Sequence, residues 1–178
     1  VQAIAGFYKD WGAIGGGTGN YLTVGEFASV DTNDLDSLYF PRGIVMNRDL
    51  SKVYPYDHTL VKEGITSSWY EYSGGDAASL HPWEGETVPK YTGPPTPWTY
   101  LQDEKKYTWM KSPRYDGRAM EVGPLARMVV GYAAGQKDIK EITNTLLARL
   151  DVPPAALFST LGRVAARCME TVLVANQM

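Results

Sequence analysis

The sequence predicts an α+β fold: a short strand group, then a long irregular aromatic and proline-rich region, then a C-terminal helical cluster. Three observations carry that expectation. β-Branched and aromatic runs bounded by Gly, Asn and Asp recur through residues 1–65. Pro82, Pro89, Pro94, Pro95, Pro97 and Pro113 punctuate residues 66–117, where they forbid a long helix or a central strand. From residue 118 onward, apolar side chains return with helical spacing.

The chain opens inside a helix, with Ile4, Phe7, Tyr8 and Trp11 at i, i+3, i+4, i+7. The glycine-rich stretch WGAIGGGTGNYL follows and raises the question of phosphate binding. A P-loop needs Lys and Ser/Thr after its last glycine, but Thr18 and Gly19 follow Gly17. The dinucleotide fingerprint also fails, ending on Asn20 or Leu22 where glycine is required. Phosphate sites run strand, loop, helix, and this order is reversed. The stretch reads as a flexible connection from helix to strand. Strands are expected in NYLTVGEF and GIVMNRDL, with SKVYPYD a further candidate; DTNDLDSLYFPRG between the first two reads as turns.

Residues 66–117 are rich in Trp and Tyr, so a packed excursion is expected there and not disorder. Three helices follow in residues 118–178. Gly123 and Pro124 stand at the start of the first, Leu125, Met128, Val129 and Tyr132 form its stripe, and Gly135 stops it. The second carries Ile139, Ile142, Leu146, Leu147 and Leu150. The third starts at Pro153–Pro154 and aligns Leu157, Leu161, Val164, Ala165, Cys168 and Val172. Neither terminal helix shows a cap, so residues 1–178 read as a single fragment of a larger subunit.

A net charge of −3 and a pI near 5.4 provide no basic face for nucleic acid. No apolar run approaches the roughly 18 residues of a membrane span. One cysteine excludes an internal disulfide and any multi-cysteine metal site. Cys168, on an apolar helical stripe, reads as a small hydrophobe rather than a nucleophile. His58 and His81 lack the spacing of a helical zinc pair and are expected to make structural hydrogen bonds. Lys111, Arg114 and Arg118 bracket Asp116 and Glu121, which suggests a salt-bridge cluster anchoring the excursion.

The segment WMKSPRYDGRAMEVGPLARMVVGYAAG resembles the large, catalytic subunit of nickel–iron hydrogenases, in particular the membrane-associated uptake type. SSWYEY, LHPWEGETVPKYTG, LFSTLGRVAARCMETV and GGTGNYLTVGEF are similar to the same family, so the likeness spans essentially the whole chain. The resemblance implies reversible oxidation of H2 at a Ni–Fe centre carrying CO and cyanide and held by four thiolates. Those come as two Cys pairs, and neither the N-terminal C-x-x-C nor the C-terminal D-P-C-x-x-C motif is present here. This chain is therefore expected to supply no catalytic residue, no cofactor-binding residue and no direct metal ligand, and to be inactive alone.

The family also implies a magnesium whose waters are bonded by a lysine and a carboxylate; the matching residues are Lys111 of WMKSPRY and Glu63 of LVKEGI. Implied partners are the rest of the large subunit and an iron–sulfur small subunit, in a membrane-associated heterodimer on the periplasmic side. The alternative is a free-standing binding module whose WYEY, HPW, PPTPWTY and YTWM aromatics take sugars or proline-rich peptides.

Overall fold

The computed structural model describes residues 2–28, 31–75, 77–94 and 106–178. They form two compact units, one from residues 1–56 and 120–178, the other from residues 57–119.

In the first unit, a short helix α1 (Gln2–Ala5) runs into a 3-10 segment (Gly6–Ala13). The expected α-helical stripe does not run through: Phe7, Tyr8 and Trp11 fall in the 3-10 segment, which is kinked at Tyr8 (φ −118°, ψ 31°). These apolar residues are not core, Phe7 being 84% exposed and Ile4 64%. NYLTVGEF divides into β1 (Tyr21–Thr23) and β2 (Glu26–Ala28), because Gly25 at φ +85° turns the chain between them. β3 (Leu38–Phe40) arises inside the stretch expected to be turns, pairing Ala28 with Leu38 and Glu26 with Phe40. β4 (Gly43–Val45) pairs antiparallel with β1, Tyr21 opposite Val45. GIVMNRDL ends early as a strand because Asn47 and Arg48 both take left-handed conformations. SKVYPYD contributes a bridge at Tyr54, which exchanges backbone hydrogen bonds with Ile44.

The helices are α2 (Pro124–Ala133), α3 (Lys137–Leu150) and α4 (Thr160–Gln177). Gly135 ends α2 at φ +85°, as its position suggests. The third helix differs from expectation at its start. Pro154–Leu157 form a separate 3-10 turn, and α4 begins after Ser159, whose hydroxyl accepts from the Gly162 N–H. Its buried face is Gly162, Ala166, Met169 and Leu173. The stripe read from sequence lies to one side: Leu161, Val164, Ala165, Cys168 and Val172 line an apolar groove of about 840 Å³. The core gathers Tyr21, Phe40 and Val45 from the strands with Met128, Val129 and Val130 of α2, Ile139 of α3, and Leu157. At roughly 25 cal/mol per Å² of apolar surface, that burial is the main stabilising term here.

In the second unit, β5 (Val61–Gly64) is the centre of a three-stranded antiparallel sheet. Its neighbours are β7 (Ser79–Leu80) and β9 (Ser112–Tyr115). β6 (Tyr70–Tyr72) pairs with β8 (Thr87–Pro89). The proline-rich stretch is thus more regular than expected, and its prolines sit where sheets tolerate them: Pro113 on an edge strand, Pro89 at a strand end. Trp69 is buried, donates from Nε1 to the Lys106 carbonyl at 2.9 Å, and packs on Tyr91 and Trp109. Of PPTPWTY, residues 95–100 lie outside the described residues.

Candidate functional site

Glu63 and Lys111 meet in the second unit. On β5, Glu63 stands opposite Pro113 of β9, and Gly64 opposite Ser112, so Lys111 enters β9 alongside the carboxylate. A Cβ on Gly64 would lie 2.8 Å from the Ser112 carbonyl oxygen, so glycine permits this close pairing. Lys111 Nζ donates to Glu63 Oε2 at 2.8 Å, with the two side chains 29% and 30% exposed. The same ammonium lies 5.5 Å from the Tyr70 ring centroid. Tyr72 Oη donates to the Glu63 carbonyl at 2.6 Å and accepts from the Leu80 N–H at 2.9 Å, tying β6 to both β5 and β7. The result is a half-buried, charge-neutral pair that retains donors and an acceptor for hydrogen bonds to water.

The histidines, distant in sequence, are brought together. The rings of His58 and His81 are 5.9 Å apart, and both pack on Trp83 at 5.2 and 5.0 Å. His81 Nδ1 accepts the Trp83 backbone N–H at 3.1 Å. In a neutral imidazole that leaves the proton on Nε2, a donor and not a ligand atom. The geometry therefore favours the hydrogen-bonding role. Among the described residues no group of three or more His, Cys, Asp or Glu converges as a metal site. Cys168 is half-buried on α4, in the other unit.

Among the described residues, none of the ion pairs expected within the group Lys111, Arg114, Arg118, Asp116 and Glu121 is present. Lys111 goes to Glu63, and Glu121 takes Arg163 of α4 in a two-point pair at 2.6 and 2.7 Å. This second pair, unseen in the sequence, explains the glycine loop. Arg163 Nη1 also donates to the Gly15 carbonyl, Arg48 Nη2 to the Gly16 carbonyl at 3.0 Å, and the Arg48 N–H to the Gly19 carbonyl at 2.8 Å. The loop turns carbonyls toward arginines, the opposite of a phosphate cradle. A Cβ on Gly17, at φ +62°, would lie 2.4 Å from the Arg163 guanidinium.

Tyr21 lies beneath this clamp, fully buried, and its hydroxyl, near Arg48, makes no hydrogen bond of good geometry among the described residues. Burial and then the Glu121 charge raise its pKa, partly offset by Arg48 and Arg163. A raised phenol pKa contributes stability that is complete below the unfolded value near 10 and is lost as pH rises through the folded value. Tyr21→Phe is expected to be neutral or stabilising by about 1 kcal/mol at pH 7. It is also expected to remove part of the alkaline loss of stability, as read by thermal melts from pH 7 to above about pH 10.

A family model for nickel-dependent hydrogenases matches residues 1–178, and the chain belongs to that family. Within it, the chain is 43% identical over its full length to the uptake hydrogenase large subunit of Bradyrhizobium diazoefficiens, covering 32% of that protein. It is 38% identical to the quinone-reactive Ni/Fe-hydrogenase large chain of Wolinella succinogenes, over 99% of this chain and 31% of that one. A [NiFeSe] hydrogenase structure from Dm. baculatum superposes with a TM-score of 0.76 at 28% identity, covering 99% of this chain and 33% of that one. The α+β fold is that of the hydrogenase large subunit, and the chain spans about a third of the curated relatives it matches. Family membership replaces the reading as a free-standing sugar or peptide module.

Proposed function

We propose that this chain is part of the catalytic subunit of a nickel–iron hydrogenase that interconverts H2 with two protons and two electrons, and that it has no such activity alone. The observation that carries the reading is the Glu63–Lys111 pair, formed across 48 residues in a chain that matches the family from end to end. The chain's residues do not fit a Ni–Fe centre: four thiolates are needed and Cys168 is the one available. The anchoring sulfurs therefore come from other parts of the parent, and the CO and cyanide ligands belong to that centre.

Magnesium fits differently. A carboxylate already neutralised by an ammonium is a poor direct ligand, but it suits the waters that Mg²⁺ keeps. The bound ion would supply charge that acidifies those waters. With the ion bound, Lys111 would donate to one of its waters and Glu63 would accept from another, and the bond between them holds both side chains in place for that task. In an intact homologue, Lys111→Ala is expected to lower magnesium content or hydrogen uptake by about 10–100-fold. Metal content by mass spectrometry and uptake both at wild-type level would sink the assignment.

The parent is read as a heterodimer with an iron–sulfur small subunit, associated with the periplasmic side of the cytoplasmic membrane. The words "uptake" and "quinone-reactive" in the relatives' names support membrane association. Among the described residues no helix is long and apolar enough to cross a membrane.

A further inference from the structure

On the β5–β9 pair, Lys62 stands directly opposite Arg114, and both are exposed. Like charges in that position weaken a strand pair. Among the described residues, neither side chain forms an ion pair, nor does that of exposed Arg118. Arg114 reaches back only to the carbonyl of Pro113, at 2.8 Å. Two acids of this unit are engaged locally, while exposed Asp116, two residues from both Arg114 and Arg118, forms no ion pair with either among the described residues. Asp57 accepts from the Thr59 N–H and hydroxyl at 2.9 and 2.7 Å, and Glu84 from the His81 N–H at 3.4 Å.

The same unit carries an exposed aromatic feature just after β7. Leu80 of β7 stands opposite Glu63, and His81 follows it directly, one position beyond the paired residues. His81 is 9% exposed, whereas Trp83, packed on it and on His58, is 82% exposed. An indole held by two imidazoles loses little freedom when covered, and Trp and Arg dominate the energetics of docking surfaces.

We infer that this unit, through the exposed Lys62–Arg114 pair on its sheet and the exposed Trp83 after β7, docks an acidic segment from the part of the parent large subunit outside these residues. That segment's carboxylates sit on the Lys62–Arg114 pair, and its apolar surface covers the indole. The inference rests on the proposed membership of a larger hydrogenase subunit. Charge complementarity selects an acidic occupant. The relatives extend to about three times the matched length, and a segment on the same polypeptide docks at high effective concentration. A separate subunit would pay the full association cost.

The test treats the intact parent heterodimer and the free large subunit with a zero-length carbodiimide cross-linker, and maps the partners of Lys62 by mass spectrometry. Expected in both samples is an amide between Lys62 and an Asp or Glu of the large subunit outside residues 1–178. Acetylation of Lys62 by a soluble active ester is expected to be about tenfold slower than in the urea-unfolded subunit. A cross-link to the small subunit, one to an acid within residues 57–119, the absence of any Lys62 cross-link, or unslowed acetylation would each overturn the inference. Nickel content and hydrogen uptake measured on the same preparation separate the two claims. An active, nickel-loaded enzyme with a freely reactive Lys62 fails only the docking inference, whereas a parent without nickel or uptake fails the hydrogenase reading.

Discussion

Gly162→Ala is expected to destabilise the chain by about 3 kcal/mol or more, lowering the melting temperature by roughly 6–12 °C. A Cβ at this position would lie 1.9 Å from the carbonyl oxygen of Leu157 and 2.5 Å from its carbonyl carbon. Both are backbone atoms, so no side-chain rotation relieves the overlap. The clash follows from how the chain enters α4. The 3-10 turn at Pro154–Leu157 doubles back so that the Leu157 carbonyl rests on the third residue of the helix, while Ser159 caps the Gly162 N–H at 3.0 Å. Moving that turn would shift Leu157 and Phe158, which are 2% and 8% exposed in the core. Gly135→Ala provides the comparison. It has φ +85° but open space around its Cβ position, so its cost is the left-handed backbone alone, about 1 kcal/mol. Thermal melts followed by circular dichroism decide the matter. Equal losses for the two variants would contradict the described entry into α4.

That entry was only half legible in the sequence. Pro153–Pro154 promise a helix start, and the apolar stripe from Leu157 to Val172 conceals the break at Phe158–Ser159. The local sign was present in Ser159, a capping residue two positions before Leu161. α2 and α3 read well because tertiary context and periodicity agree: Leu125, Met128 and Val129 are all buried, as is Ile139. β3 was hidden because Leu38–Phe40 is a three-residue apolar run after a string of Asp and Asn. Its strand character comes from pairing with β2, which no local pattern records.

The candidate site was legible through family resemblance. Glu63 and Lys111 are 48 positions apart, and a charge pair at that separation leaves no spacing signal. The Arg163–Glu121 pair shows the same limit. Both members are plain in the sequence, but Arg118 and Arg114 stand nearer to Glu121 along the chain. Sequence proximity favoured those partners, whereas packing of α4 beside the glycine loop selected Arg163.

Arg127→Met is the second large effect expected, about 3 kcal/mol of lost stability. The guanidinium, 16% exposed, leaves α2 between two carboxylates. Nε and Nη2 bind Glu170 Oε1 of α4 at 2.9 and 2.7 Å, and Nη1 binds Glu26 Oε1 of β2 at 2.7 Å. Glu170 is 15% exposed, and its Oε2 already lacks a partner among the described residues. Methionine fills most of the arginine stem's volume, so the cost isolates the charge rather than a cavity. Breaking a buried pair costs about 3–5 kcal/mol because the orphaned ion remains desolvated. The lower end applies here, since Glu26, 40% exposed, can turn toward water. Lysine cannot rescue the variant, because one ammonium does not span both carboxylates as the planar fork does. The decisive comparison is the triple variant Arg127→Met, Glu170→Gln, Glu26→Gln, in which no ion is left behind. It should recover most of the lost stability in urea unfolding. A triple variant no more stable than Arg127→Met would mean that the arginine stem's packing, and not the buried charge, holds α2, α4 and β2 together.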